Sequence, residues 1–251
     1  EDDNRRSTDV VRWRRMGRGH DPSSIAQSGQ GYVQAIDYAR LVDWCVEHDC
    51  CMQVRIRAGD FVVDGVCAFK VFGCPAAALD ASVADLNRCI VIGPVRTSIQ
   101  DPEYPITQLN QLAARALSPG INDPGTAISC VDAFSLALSR IIDRDLPGCV
   151  FTDAEGKARL LARSTSFEGV LKAVYAPLRQ FANTDVAVTA SLFESLCRLA
   201  ELTTREQRLA LLGMHGNLIW DGLEDKGFTD YDLRDIRQRH KRLQILTNRF
   251  T

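Results

Sequence analysis

The spacing of hydrophobic and polar positions changes near residue 98. Before it, apolar and polar residues alternate in short runs such as Tyr32–Ile36 and Met52–Arg57, which predicts strands. After it, apolar residues recur every three or four positions over longer stretches, which predicts helices. The sequence therefore predicts an α+β protein: a small β-rich N-terminal unit followed by a mainly α-helical bundle.

The β-rich unit is predicted to span residues 29–97 and to contain an inserted helix. Asp37 is a good N-cap for that helix, over Tyr38–His48. The Gly59–Gly65 segment, which ends in Asp-Gly, predicts a tight hairpin like that of barrel-sandwich and lipoyl-like domains. A lipoyl or biotin carrier needs a lysine at the hairpin tip, but Lys70 falls inside the following strand. We therefore expect neither carrier function nor a cofactor.

The helical region is predicted to span residues 98–251. Turn-forming residues over Ser118–Gly125 break it, and a β-hairpin is predicted near 150–163. Pro124 suits the first position of the helix after the break, with Asp123 as its cap. The predicted helices are Ile106–Leu117, Pro124 to about Arg144, Phe167–Phe181, Val186–Leu202, Arg205–Leu223 and Tyr231–Arg249.

The segment before the first predicted strand, residues 1–28, has the composition of a basic linker. Six arginines lie between Arg5 and Arg18, and glycine, proline and serine follow them. A solvated tail and a juxtamembrane segment held near anionic lipid both fit this pattern. No apolar run reaches the roughly 18 residues that a membrane-spanning helix needs.

Composition narrows the possible functions. The formal net charge is −2, with 30 Lys and Arg against 32 Asp and Glu, so we expect no nucleic-acid partner. The cysteines number nine, an odd count without a CxxC pair, which predicts free thiols in a reducing cytosol. Cys45, His48, Cys50 and Cys51 form the densest group of metal-ligand types, but their spacing does not suit a zinc site. We expect no bound metal.

Polar residues that suit anion binding gather around the turn-dense break. Helical spacing places Gln108 and Arg115 on one face that leads into it. Backbone N–H groups at the start of the next helix would point toward the same place. The candidate ligand-binding residues are Asp101, Gln108, Arg115, Ser118, Asn122, Asp123 and Thr126.

These residues fit two hypotheses. They could form a pocket for a small anionic ligand, a phosphate or carboxylate. They could instead brace a helix–loop–helix corner, with Arg115 paired to Asp101 or Asp123. The histidines and serines form no arrangement typical of a catalytic site, so we assign no catalytic residue. An alternative function is a hydrolase-like enzyme that acts on an anionic substrate at the Arg115/Asn122/Asp123 corner.

Three stretches resemble the bacterial predicted membrane proteins of the domain of unknown function 2254 family. They are Gly31–Asp37, Gly59–Val62, and Gln100-Asp101 followed by Arg115–Pro124. The last stretch is the most specific, because ten consecutive residues match the family pattern. The chain departs from that pattern at Thr107, where an arginine is usual, and at Gly125, where an aromatic is usual.

The resemblance implies membrane helices upstream of this region and carries no established activity. We therefore expect the cytoplasmic part of a bacterial inner-membrane protein, tethered through those helices. Its function would be ligand binding, sensing or scaffolding, and it could form a homo-oligomer.

Overall fold

The computed structural model describes residues 10, 11, 13, 21–223 and 226–249. These residues form two compact units, and their helices and strands confirm the α+β class. The first unit takes the described residues up to Tyr104 together with Pro147–Thr165. The second takes Pro105–Leu146 and the described residues from Ser166 onward.

The first unit contains two sheets. Its elements, in chain order, are β1 (Ser23–Ala26), β2 (Gly31–Ile36), α1 (Tyr38–Glu47), β3 (Cys51–Val54), β4 (Phe61–Val62), β5 (Cys67–Phe72), α2 (Ala76–Arg88), β6 (Ile90–Gly93), β7 (Val150–Thr152) and β8 (Ala158–Leu161). One sheet has the strand order β1-β5-β3-β8-β7, and the other has the order β4-β2-β6. Apolar side chains from both sheets and both helices share one core, in which Leu41, Met52, Phe69 and Leu160 have no exposed surface.

The predicted hairpin near 150–163 is formed by β7 and β8, but it does not belong to the helical region. It extends the five-stranded sheet, because β8 pairs in parallel with β3, with Met52 opposite Leu160. Leu160 of β8 is fully buried and belongs to the core of the first unit. The predicted boundary at residue 98 therefore assigns Pro147–Thr165 to the helical region, whereas these residues belong to the first unit.

The hairpin predicted around Asp64-Gly65 is wrong. The strands on either side of this turn lie in different sheets, since β4 pairs with β2 whereas β5 pairs with β1 and β3. The turn is held by long-range bonds instead: Gly65 N–H donates to the Gln27 carbonyl, and Gly29 N–H donates to the Asp64 carboxylate. The Asp-Gly pair thus carries the chain from one sheet to the other.

The linker predicted over residues 1–28 is also wrong at its C-terminal end. Ser23–Ala26 form the edge strand β1, paired antiparallel with β5, and Ile25 is buried. The basic segment from Arg5 to Arg18 lies outside the described residues, apart from positions 10, 11 and 13. Trp13 is buried, and its ring meets Phe72 edge-on at 5.3 Å between centroids.

The second unit is a helical bundle. Its helices are α3 (Glu103–Ala116, whose first two residues count with the first unit), α4 (Pro124–Ser139), α5 (Phe167–Ala182), α6 (Val186–Glu201), α7 (Glu206–Asp221) and α8 (Asp230–Thr247). Side chains of Asp123, Ser166, Asp185 and Thr229 cap four of these helices, as their residue types favour. Helix α6 packs against α4, α5, α7 and α8, which explains why it is buried on almost every side.

Candidate functional site

The turn-dense break forms a tight corner between α3 and α4. Asn122 adopts a left-handed conformation with φ of 48°, and its N–H donates to the Ser118 carbonyl at 2.9 Å. Both N–H and hydroxyl of Ser118 donate to the Arg115 carbonyl. The Asp123 N–H reaches back to the Ala116 carbonyl at 2.8 Å. These backbone bonds satisfy the last carbonyls of α3 and turn the chain into α4.

The Asp123 carboxylate occupies the start of α4. One oxygen accepts from Thr126 N–H at 3.1 Å, and the other accepts from the Thr126 hydroxyl at 2.5 Å. These bonds, with one from Gly125 N–H, lower the pKa of Asp123. A negative side chain therefore already sits where an anionic ligand would meet the helix N-terminus.

The predicted pairing of Arg115 with Asp123 is wrong. The Arg115 side chain is exposed, and within the described ranges it forms no hydrogen bond or ion pair with Asp123. Gln108 is likewise exposed on α3, whereas that helix buries Asn110, Ala113 and Ala116. Gln108 and Arg115 of the predicted polar face are thus exposed, whereas Asn110, Ala113 and Ala116 supply the packing surface of α3.

Asp101 belongs to the first unit, whereas the other six candidate residues belong to the second. Its side chain is buried and accepts two bonds from the Arg96 guanidinium, at 2.9 Å from Nε and 2.6 Å from Nη2. Its second oxygen accepts from Glu103 N–H at 3.1 Å at the start of α3. Gly59, at φ of 92°, lies so close that an added Cβ would collide with this carboxylate. Asp101 is therefore a structural brace.

The other stretches that resemble the family meet in the same part of the first unit. Gln100 exchanges two hydrogen bonds with the backbone of Ile36, at 2.9 and 3.1 Å. Arg57 forms a bidentate pair with Glu103, at 2.7 and 2.8 Å, and Arg163 binds Asp60 at 2.7 Å. Sequence reasoning missed Arg57, Arg96 and Arg163, although Arg96 lies only five positions before Asp101.

The cysteines do not cluster as the sequence group Cys45, His48, Cys50 and Cys51 suggests. The structure has all nine cysteines as free thiols. His48 bonds the Trp44 carbonyl with its Nδ1 and stacks on the Trp44 ring. The thiol of Cys74, which follows β5, is hydrogen-bonded to the Cys50 thiol. The described residues contain no group of three or more His, Cys, Asp or Glu side chains able to hold a metal ion.

The three-stranded sheet carries apolar residues on its outer face. Tyr32 and Phe61 are register partners whose rings meet edge-on at 5.1 Å, and Phe61 is 63% exposed. Val91 of β6 pairs with Ala35 of β2 and is 51% exposed. Val95, just beyond β6, is 59% exposed, and its carbonyl accepts a hydrogen bond from the Gln34 side chain of β2. We call Tyr32, Phe61, Val91 and Val95 the apolar outer face.

A groove of about 590 Å³ lies in the second unit between α7 and α8. Met214 and Leu218 line one wall, and His240 and Gln244 line the other. The His240 ring stacks on Trp220, and its Nε2 lies 3.0 Å from the Asn217 side-chain oxygen. Burial lowers the pKa of His240. No local sequence pattern indicates this groove, since its walls come from two separate helices.

The described chain is thus a two-unit α+β protein whose predicted site residues brace loops, cap helices or lie at the surface. None of its described helices is long and apolar enough to cross a membrane. The chain belongs to the family described as Predicted membrane protein (DUF2254), whose model matches residues 1–198. The family resemblance is therefore confirmed, and with it membership of a membrane-protein family of unknown function.

Similar proteins come from mycobacteria. The chain is 28% identical over 174 residues to an uncharacterized protein of Mycobacterium tuberculosis (strain CDC 1551 / Oshkosh). It is 32% identical over the same length to an uncharacterized protein of Mycobacterium bovis (strain ATCC BAA-935 / AF2122/97). Each match covers 68% of this chain and 33% of the relative, so the matched region is one third of those proteins. No solved structure matches the chain significantly.

Proposed function

We propose that this chain is the cytoplasmic domain of a bacterial inner-membrane protein, and that it acts as a binding or scaffolding module. The observation that carries the proposal is the apolar outer face. Phe61 and Val91 lie in the two edge strands of one three-stranded sheet, and Val95 follows β6; each of the three is more than half exposed. Exposed apolar residues on one face of a sheet are typical of a surface that a partner covers.

We propose that the partner is the remainder of the same protein. The matched region makes up 33% of the mycobacterial relatives, so most of each relative lies outside it. Membership of a membrane-protein family supports an apolar, membrane-adjacent partner. The arginines between Arg5 and Arg18 and the free thiols favour the cytoplasmic side, since positive loops and reduced cysteines are typical of it.

The anion-binding and hydrolase hypotheses receive less support. Acid–base catalysis needs a carboxylate that can reach a substrate. The Asp101 carboxylate is only 5% exposed and is engaged by Arg96. The Asp123 carboxylate is engaged by Thr126. Arg115 stays accessible, but a single exposed arginine is common on protein surfaces.

Site-specific photo-crosslinking in the full-length protein tests this proposal. A benzophenone amino acid replaces Phe61 on the apolar outer face. Matched variants carry it at Met214, in the groove of the second unit, and at Tyr231, which is 79% exposed on α8. Membranes from cells that express each variant are irradiated, and the adducts are mapped by peptide mass spectrometry.

We expect the Phe61 probe to crosslink to peptides of the same protein that lie outside this region, with little adduct from Tyr231. Adducts from Phe61 to lipid alone, or to a second copy in mixed-tag cells, would overturn the proposed partner. Equal yields from Phe61, Met214 and Tyr231 would show that the apolar outer face has no special role.

A further inference from the structure

Three thiols from separate segments meet at one end of the five-stranded sheet. Cys45 lies in α1, Cys50 lies just before β3, and Cys74 follows β5. The Cys50 N–H donates to the Cys45 carbonyl at 2.9 Å, which folds the end of α1 back on itself. The pairing of Cys51 with Phe72 brings the chain just beyond β5 alongside Cys50. The Cys50 side chain is in hydrogen-bonding contact with both other thiols.

These thiols run from the core to the surface. Cys45 has no exposed surface and Cys50 is 3% exposed, whereas Cys74 is partly exposed. Because Cys74 is partly exposed, a small oxidant can approach the Cys50–Cys74 contact from the Cys74 side. The Cys74 thiol also donates to the Pro75 carbonyl at 3.6 Å, much as the Cys67 thiol donates to the Phe69 carbonyl at 3.5 Å.

The surroundings of Cys50 favour its thiolate. The hydrogen bond from Cys45 is the main cause that lowers the pKa of Cys50, and the nearby Arg159 guanidinium and the Cys74 thiol act in the same direction. The same hydrogen bond raises the pKa of Cys45, and burial raises that of Cys74. The Arg159 guanidinium is fixed, since its Nη1 bonds Asp49 at 2.9 Å and the Cys50 carbonyl at 3.3 Å. Thiolates react with oxidants, and thiols do not.

We propose that Cys50 and Cys74 form an oxidant-modified site, at which a peroxide converts the two thiols into a reversible disulfide. The Cys50 sulfur attacks one peroxide oxygen, the O–O bond breaks, and hydroxide leaves and takes up a proton to form water. Cys50 is then a sulfenic acid. The Cys74 sulfur loses its proton and attacks the Cys50 sulfur, and the S–O bond breaks to release a second water. Two thiols and one peroxide thus give one disulfide and two waters.

Peroxide treatment of the whole 251-residue chain tests the site. Aliquots are quenched with N-ethylmaleimide over time, digested without reductant and analysed by mass spectrometry. We expect a Cys50–Cys74 linked peptide that forms at least about tenfold faster than Cys67 oxidises, and that dithiothreitol reverses. No such peptide, or Cys50 linked to Cys45 instead, would overturn the pairing.

Two variants separate the roles of the thiols. In Cys74→Ser, with dimedone present, we expect Cys50 to be oxidised, as the dimedone adduct or as a disulfide with Cys45. An unmodified Cys50 in that variant would overturn its assignment as the attacking sulfur. Cys67→Ser is the matched control and should leave the Cys50–Cys74 rate unchanged. Circular dichroism of each variant before treatment confirms that it is folded.

Discussion

Removing the charge of Asp101 tests whether this carboxylate braces the first unit. Its side chain is 5% exposed, and it receives both bonds from Arg96, whose side chain is 24% exposed. Asp101→Asn keeps the shape and can still accept from Glu103 N–H, but it leaves the guanidinium without its counter-charge. Asp101→Ala also removes that bond at the start of α3.

The size of the effect follows from burial. Breaking one side of a buried ion pair costs about 3–5 kcal/mol. Arg96 keeps some contact with water, so we expect about 3 kcal/mol for Asp101→Asn. The alanine variant should lose about 1 kcal/mol more, the usual loss for a helix cap. Asp85→Asn is the control: its pair with Arg88 has 56% and 70% exposed side chains, so we expect at most about 1 kcal/mol.

Urea unfolding measures these losses. The Trp220→Phe background leaves Trp13 and Trp44 as fluorescence reporters, and both belong to the first unit. A loss of about 3 kcal/mol moves the urea midpoint down by about 1–2 M for a slope of about 1.5–3 kcal/mol/M. If Asp101→Asn shifts the midpoint no more than Asp85→Asn does, the bracing role is refuted.

Three further predictions concern the second unit. Arg115→Ala should leave the melting temperature unchanged, because the Arg115 side chain is exposed. Asp123→Ala should lower the melting temperature, because it removes the N-cap of α4. A larger loss of melting temperature in Arg115→Ala than in Asp123→Ala would contradict the described corner. Ser195→Ala should cost about 1–3 kcal/mol in urea unfolding, because the buried Tyr175 hydroxyl loses its partner at 2.6 Å. Burial lowers the pKa of His215 to about 4, so the unfolded chain takes up its proton first as pH falls. Stability should therefore decline between pH 6.5 and 4 and decline less in His215→Phe, and an NMR titration midpoint for His215 near 6.5 would contradict this.

Local patterns predict local structure well here. Helix α1 and the helices of the second unit are predictable from recurring apolar positions and, in several cases, from a capping residue, as at Asp37 and Asp123. Pairing between distant segments was not predicted. Strand β1 is not predicted, because Pro22, Ser23 and Ser24 favour a loop. Residues Ser23–Ala26 form a strand through hydrogen bonds to β5, which lies about 45 positions later in the chain. The parallel partner of β8 lies about a hundred positions earlier, in β3, where no local signal indicates it.

The candidate site shows the same division. The capping role of Asp123 follows from its place before Pro124 and was predicted. The exposure of Arg115 was not predicted. Helical spacing shows which residues share a face, but it does not show whether another element packs on that face. Contact between Cys50 and Cys74 depends on the register of β3 against β5, which the sequence does not reveal. Side chains brought together by long-range pairing thus had to come from the structure.

The proposed location of this region, on the cytoplasmic side of a membrane, is tested by a topology measurement. The gene for the full-length protein is fused after residue 251 to green fluorescent protein, and separately to alkaline phosphatase. We expect fluorescence that sediments with the inner-membrane fraction and no phosphatase activity. Fluorescence in the soluble fraction would contradict membrane attachment, and phosphatase activity would contradict the cytoplasmic side.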